Sequence, residues 1–183
     1  MKQSISSLSK DTCNKLIEEC SKHDVTPYYG NMDLNPNDLF YQDHLKQKNL
    51  AKQAGYTDGN SIEFRHYYPT EHFDNSFIKL FERKVKAECL IGFVSEIRPG
   101  KCAPWHWDIN PWLNDYPVGE VVRYVCFIDV PKYGQAFMIE DECFYLEEQG
   151  SIYQYPKLDS WHAGFNAGLD TKFLFTFTGL KTA

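Results

Sequence analysis

The sequence predicts a mainly β protein with helices at its N-terminal end (an α+β arrangement), the strands forming an antiparallel sandwich or jelly roll. Two observations carry this. Up to residue 87 apolar residues recur at helical spacing. Beyond it, short β-branched and aromatic runs follow one another, separated by Gly, Pro or Asp, with no helical pattern between them. Aromatic content is also high, 16% of 183 residues with 12 Tyr, 13 Phe and 4 Trp, and aromatics favour strands. A chain of this length buries a real core as one domain. Residues 1–87 are expected to be a mostly helical support region and 88–180 the strand-rich core.

The elements follow in order. Cys13, Leu16, Ile17 and Cys20 share one helical face, with Ser9 or Asp11 as the cap and an end near His23. Residues 26–37 carry Pro27, Gly30 and Pro36 and read as loop. A weaker helix runs from Asn37 to about Ala54, closed by Gly55. Asp74 is expected to cap a third, with Phe77, Leu80 and Phe81 as its apolar face before Val85. Strands are expected at Cys89–Ile97, ended by the turn Arg98-Pro99-Gly100, and at Val121–Val130, Ala136–Ile139, Ser151–Tyr155 and Thr171–Thr178.

Composition excludes several classes. Apolar content of 43% and charged content of 24% are those of an ordinary globular domain. The net charge is −6 and no basic patch is present, so nucleic acid is not the expected partner. No apolar run approaches the roughly 20 residues of a membrane span. Residues 1–10 lack the apolar segment of a signal peptide. The six cysteines, Cys13, Cys20, Cys89, Cys102, Cys126 and Cys143, form no C-x-x-C pair. Reduced thiols in a cytoplasmic protein are expected ahead of structural disulfides.

The residues that carry chemistry are His106, Asp108 and His162. In a strand, positions i and i+2 point to one face, so His106 and Asp108 would reach a common ion while Trp105 and Trp107 pack on the other side. His162 follows 54 positions after Asp108 and would reach the same point from a distant strand. Two imidazoles and one carboxylate suit Fe(II) and leave metal positions open. The triplet alone is a weak signal. With 6 His and 13 Asp in 183 residues, about 0.4 H-x-D triplets arise by chance, and the chain holds a second, His72-Phe73-Asp74. In that one Asp74 reads as a helix cap. His23, His44 and His66 are expected to be hydrogen-bonded or exposed residues without a metal role.

Context separates the triplets. Only His162 among the histidines has a basic residue ten positions later, Lys172. The run Thr171–Phe177 alternates strictly, which puts Lys172, Leu174 and Thr176 on one face and the phenylalanines on the other. On that face Lys172 is either solvent-exposed or a buried cation placed to bind a carboxylate.

The segment Ile97-Arg98-Pro99-Gly100, followed six residues later by His106, resembles the aspartyl/asparaginyl β-hydroxylase-like branch of the Fe(II)/2-oxoglutarate-dependent oxygenases. The segment Trp161-His162-Ala163-Gly164-Phe165-Asn166-Ala167-Gly168 is similar to the distal-histidine segment of that branch, with its "N-x-G" turn. The likeness covers roughly residues 88–179. It implies a double-stranded β-helix core, cupin-like in outline, with His106, Asp108 and His162 as iron ligands. Lys172 stands where the superfamily holds the C5 carboxylate of 2-oxoglutarate. Arg123 resembles a central-strand arginine near cosubstrate or substrate, its face undecided by sequence. Two departures pull away from the branch: Asp108 completes a triad that some members lack, and Lys172 stands where the branch generally has Arg.

The activity so implied is a 2-oxoglutarate-dependent Fe(II) dioxygenase. It would use O2, convert 2-oxoglutarate to succinate and CO2, and hydroxylate a protein or peptide residue or a small molecule. Trp105, Trp107 and Trp161 are candidate walls of the substrate pocket, or, with Trp112, ordinary core. Two alternatives stand beside this reading. One is a cupin-like metalloenzyme that does not use 2-oxoglutarate, in which Lys172 has no carboxylate to hold. The other is a non-enzymatic β-sandwich binding module, in which the three ligand-type residues lie apart.

Overall fold

A computed structural model of the chain describes residues 3–27, 41–56, 61–72, 75–108, 115–117 and 119–182. Among these, helices α1 (Lys10–Ser21), α2 (Tyr41–Gln53), α3 (Pro69–His72) and α4 (Ser76–Val85) precede most of the strands. Two short strands lie among them, β1 (Ser6–Ser7) and β2 (Arg65–Tyr67). Then come β3 (Ala87–Ile97), β4 (Lys101–His106), β5 (Val121–Cys126), β6 (Gln135–Ile139), β7 (Glu142–Tyr145), β8 (Ser151–Gln154), β9 (His162–Asn166) and β10 (Lys172–Lys181).

The strands form two antiparallel sheets, ordered β1-β8-β5-β10-β3-β2 and β4-β9-β6-β7. From β3 onward the chain passes repeatedly from one sheet to the other, and β6-β7 is a hairpin within the smaller. Eight strands laid out this way are a jelly roll, the double-stranded β-helix of the cupin fold. β1 and β2 extend the larger sheet at its two edges.

The larger sheet is covered on both faces, which its sequence foreshadows. On β10 the phenylalanines turn outward under the helices. There Phe175 meets Phe77 and Phe81 of α4, each at a ring separation of 4.9 Å. Leu16, Cys13 and Cys20 of α1, with Phe77, Phe81 and Val85 of α4, close over Val94, Val122, Tyr124, Cys126 and Phe177. The inward face holds a second apolar cluster that includes Val125, Phe137, Phe144, Tyr155 and Leu174. Flanked by β3 and β5, β10 therefore has no solvent face. Lys172 is buried, so it is not the solvent-exposed lysine that the alternation also allowed.

Local signals explain the helix ends. The Ser9 hydroxyl accepts from Thr12 N at 3.1 Å and starts α1. The cap expected of Asp74 lies outside the described residues. Asn75 precedes α4 without a side-chain capping bond. Residues 37–40 of the expected second helix are likewise outside, and the observed helix starts at Tyr41.

Three strands, β1, β2 and β7, were not anticipated, while β4 and β9 were implied only through His106 and His162. β1 and β2 are two and three residues long, too short for a period to register. β7 and β9 carry charged, polar or glycine residues where an apolar alternation would be sought. Expected ends also shift: β5 stops at Cys126, not Val130, and β10 runs on to Lys181. All six cysteines are free, and among the described residues no helix is long and apolar enough to cross a membrane.

Phe175 is fully buried between α4 and the sheet. Phe175→Ala is expected to cost about 3–5 kcal/mol, read as a lower urea midpoint in equilibrium unfolding.

Candidate metal centre

β4 and β9 are neighbours, and their pairing builds the centre. Lys101, Cys102 and Ala103 face Asn166, Phe165 and Gly164 in step, but the next pair is His106 with His162. Three residues on β4 thus span two on β9. Strict alternation from Ala103, which lines the interior, would have turned Trp105 inward. The extra residue, at Pro104-Trp105, turns His106 inward instead. Pro104 has no N–H to give the ladder, so an irregularity there sacrifices no hydrogen bond. β4 ends at His106, and Asp108 lies two residues past its end. The expectation that one strand presents both residues is corrected to this extent.

The three residues meet. One ligand-type atom from each of His106, Asp108 and His162 lies within 4.8 Å of the others. His106 Nε2 is 3.7 Å from Asp108 Oδ1, and His162 Nε2 is 3.6 Å from Asp108 Oδ2. His106 Nδ1 donates to Pro104 O at 2.6 Å, and His162 Nδ1 to Ser160 O at 3.0 Å. A proton committed at Nδ1 leaves the Nε2 lone pair of each ring free for an ion. Burial, and then His106 beside it, lower the His162 imidazole to about 3, so it is a neutral ligand at pH 7. Burial alone would raise the Asp108 carboxyl. Arg123, His162 and His106 outweigh it and hold the group well below the usual carboxylate range. His162 and Asp108 are therefore in ligand form, and two imidazoles with one carboxylate are a donor set that fits Fe(II). The binding-module alternative required these residues to lie apart, and they do not.

Arg123 faces this centre from the opposite sheet. It is 2% exposed. Its Nη1 is 2.8 Å from Asp108 Oδ2 and donates to Leu158 O at 3.3 Å, and its Nε donates to Thr178 Oγ1 at 3.1 Å. The sequence left its face open; the fold turns it inward, onto a ligand residue.

Lys172 lies elsewhere. The cavity beside the centre is lined by Phe64, His66, Phe93, Ser95, Ile97, Ala103, Phe137, Gly164, Leu174 and Thr176 with the three ligand residues, and Lys172 is not among them. Its ammonium donates to Ala136 O and sits 5.7 Å from the Phe137 ring, which also neighbours His162 at 6.0 Å. Lys172 opens instead on a second cavity with Asp129, Lys132 and Gln135, and Leu174 is the residue common to both cavities. Burial pulls the ammonium down to about 7, against the pull of Asp129.

The tryptophans do not wall the cavity either. Trp107 and Trp161 meet edge to face at 4.4 Å, with the Lys46 ammonium 5.9 Å over Trp107. Trp105 is turned away from the interior by the added residue on β4, and Trp112 lies outside the described residues. In the second triplet His72 Nδ1 accepts from Tyr68 N at 3.0 Å, and Asp74 lies outside the described residues.

His66 lies beside the centre and outside its ligand cluster. From β2 it enters the cavity and stacks on Phe93 at 4.3 Å, while Arg65 and Tyr67 turn outward to Glu96. Burial lowers its imidazole to about 4. The alternation Ile62, Phe64, His66, Tyr68 was the available signal.

No protein-family model matches the chain, and no curated protein does. Solved structures match at low identity. A viral collagen prolyl hydroxylase from Paramecium bursaria Chlorella virus-1, in complex with 2OG, is 13% identical with a TM-score of 0.44, over 93% of this chain and 91% of that one. A predicted oxalate decarboxylase from Thermotoga maritima is 11% identical with a TM-score of 0.38, over 64% and 81%. A Cupin 2 conserved barrel domain protein from Salinispora arenicola is 12% identical with a TM-score of 0.35, over 63% and 75%. Likenesses this distant say nothing of this chain's chemistry, and the jelly roll rests on its own strand order. They give no support to the aspartyl/asparaginyl β-hydroxylase-like branch. Fold and site together define a cupin-type jelly roll carrying a two-histidine, one-carboxylate cluster.

Two outcomes follow. Asp108→Ala and His162→Ala should each weaken Fe(II) or Mn(II) binding more than about 100-fold, measured by metal titration with equilibrium dialysis. In the metal-free protein, His66 and His162 stay neutral to about 4 and 3 but take up a proton near 6.5 when unfolded. The unfolded state binds more protons in that window, so stability should fall as pH drops from about 6.5 to about 4. His66→Phe should flatten the urea-midpoint profile there.

Proposed function

We propose that the chain is a non-haem Fe(II) dioxygenase that takes 2-oxoglutarate as cosubstrate and hydroxylates a protein or peptide residue or a small molecule. The observation that carries this is the convergence of two free Nε2 atoms and one carboxylate at one end of a jelly roll. Such a set holds an ion by one face and leaves positions open for other ligands. When bound there, Fe(II) supplies the oxygen-dependent redox chemistry that couples decarboxylation of 2-oxoglutarate to hydroxylation.

The chain's own residues do the rest. His106, Asp108 and His162 hold the ion, the histidines fixed in one tautomer by Pro104 O and Ser160 O. Arg123 holds the Asp108 carboxylate from across the sandwich. Phe64, Phe93, Ile97, Phe137 and Leu174 keep the cavity poor in water. Lys172 is the cation assigned to the distal carboxylate, at the deep end of the inward row that also carries Leu174 and Thr176. In the free chain that ammonium is engaged by Ala136 O, so this assignment requires it to turn from that carbonyl past Phe137 and Leu174.

The same placement of Lys172 favours a second reading: a metalloenzyme of the same fold that does not use 2-oxoglutarate. Anaerobic addition of Fe(II) and 2-oxoglutarate separates the two. The first reading expects a weak visible charge-transfer band and, once oxygen is admitted, metal-dependent succinate. Neither band nor succinate is expected on the second.

Lys172→Ala should retain Fe(II) and bind 2-oxoglutarate at least about tenfold more weakly, the loss of one charge-assisted hydrogen bond. Unchanged cosubstrate affinity would show the carboxylate assignment to be wrong. The ammonium form is the one that binds, and in the free protein it is lost above about pH 7. The affinity for 2-oxoglutarate should therefore fall as pH rises from 7 to 9, by calorimetric titration of Mn(II)-loaded protein. Lys172→Arg, if it binds, should lose that slope.

A further inference from the structure

Lys172 is a buried base with an approach of its own, away from the metal centre. It is 3% exposed, and among the described residues its side chain bonds only to Ala136 O, a neutral acceptor, with no carboxylate paired to it. An ammonium buried without a counter-charge loses hydration and gains little in return, so the neutral amine is favoured. Burial draws the group down to about 7, against the pull of Asp129. At neutral pH roughly half of the molecules therefore carry an unprotonated nitrogen there, where an ordinary lysine has less than about one part in a thousand.

The second cavity gives that nitrogen access to small molecules. Phe127, Phe144 and Leu174 form its apolar wall, while Val130 and Leu146, 46% and 39% exposed, stand where it meets solvent. The backbone on either side of Lys172 is held in place. Lys132 Nζ donates to Thr171 O at 3.0 Å, and Phe173 N donates to Asp129 Oδ2 at 3.3 Å. Lys132 and Asp129 are themselves paired at 2.9 Å, so these two charges of the cavity are spent on each other and on the chain. A fixed backbone, an apolar wall and a neutral amine are the conditions under which a lysine attacks a carbonyl carbon.

We propose that Lys172 is a covalent modification site for small uncharged aldehydes that enter through the second cavity. The amine nitrogen bonds to the carbonyl carbon, and both amine hydrogens leave with the carbonyl oxygen as water. The product is an imine, and nothing is oxidised or reduced. An uncharged compound is the class that fits, because a charged one would give up its hydration against the apolar wall. An unprotonated imine has no N–H to donate, so the adduct withdraws Lys172 from any carboxylate. That consequence rests on the assignment of Lys172 to the distal carboxylate of the cosubstrate; the adduct itself does not.

The test uses the full chain loaded with Mn(II), limiting acetaldehyde, and cyanoborohydride at pH 7. The hydride reduces the imine to a stable N-ethyl group, which peptide mass spectrometry locates. Lys172 should be ethylated at least about tenfold faster than Lys15 and Lys22, exposed lysines held as ammonium in ion pairs. A rate no higher than theirs overturns the proposal. Val130→Trp, which narrows the rim, should slow the modification of Lys172 severalfold and leave that of Lys15 unchanged. An unaltered rate at Lys172 in this variant overturns the route through the second cavity, and the proposal with it. Saturating 2-oxoglutarate separates this proposal from the cosubstrate assignment. Shielding of Lys172 supports both. Undiminished ethylation leaves the modification site standing and ends the distal-carboxylate assignment.

Discussion

The centre depends on how β4 pairs with β9, because the single residue gained on β4 between Ala103 and His106 decides which side chain enters the sandwich. With the ladder in step, an indole would occupy the space opposite His162 and Asp108 would follow in the wrong phase. With the extra residue, His106 stands opposite His162 with ring centres 4.3 Å apart. Side-chain direction in a strand has period two, so an irregularity of one residue reverses every position beyond it. The proline at that step makes the irregularity cheap. Everything chemical at this end of the molecule follows from that one local choice.

The second dependence runs between the sheets. Arg123 belongs to the larger sheet and Asp108 follows a strand of the smaller, so their contact ties the two layers at the mouth of the roll. A buried ion pair seldom stabilises a fold by itself, since removing water from both charges offsets much of the attraction. Its value here lies in direction: Thr178 and Leu158 hold the guanidinium, the guanidinium holds the carboxylate, and the carboxylate is fixed before any ion arrives. The two histidines are fixed in the same way, each by a carbonyl two residues earlier in the chain. Preorganisation of this kind is what a metal site needs from its second layer of contacts.

The sequence disclosed the periodic parts and hid the irregular ones. The helical face Cys13-Leu16-Cys20 and the Phe173-Phe175-Phe177 row are regular patterns, and both are where the alternation places them. His106, Asp108 and His162 could be singled out because ligand chemistry restricts residue type as well as spacing. The added residue at Pro104-Trp105 has no such signature, so the tryptophans were assigned to a cavity they do not line. Lys172 was placed on the correct face, but its separation from the cavity at the centre was not legible, because alternation gives a direction and not a position along the roll. That His66 lines the cavity was not legible, since the strand that carries it has three residues.

The ion pair between Arg123 and Asp108 also sets a charge count. One carboxylate and one guanidinium cancel, so the pair itself brings no net charge to the centre. A divalent cation entering it brings two positive charges into a region with little water to screen them. The chain supplies no further anion among the residues that line the cavity. Whatever joins the metal must bring the missing negative charge, and a dianion that chelates the ion would restore neutrality in a single binding event. The arginine thus shapes the charge balance of the centre through its direct contact with the carboxylate of Asp108.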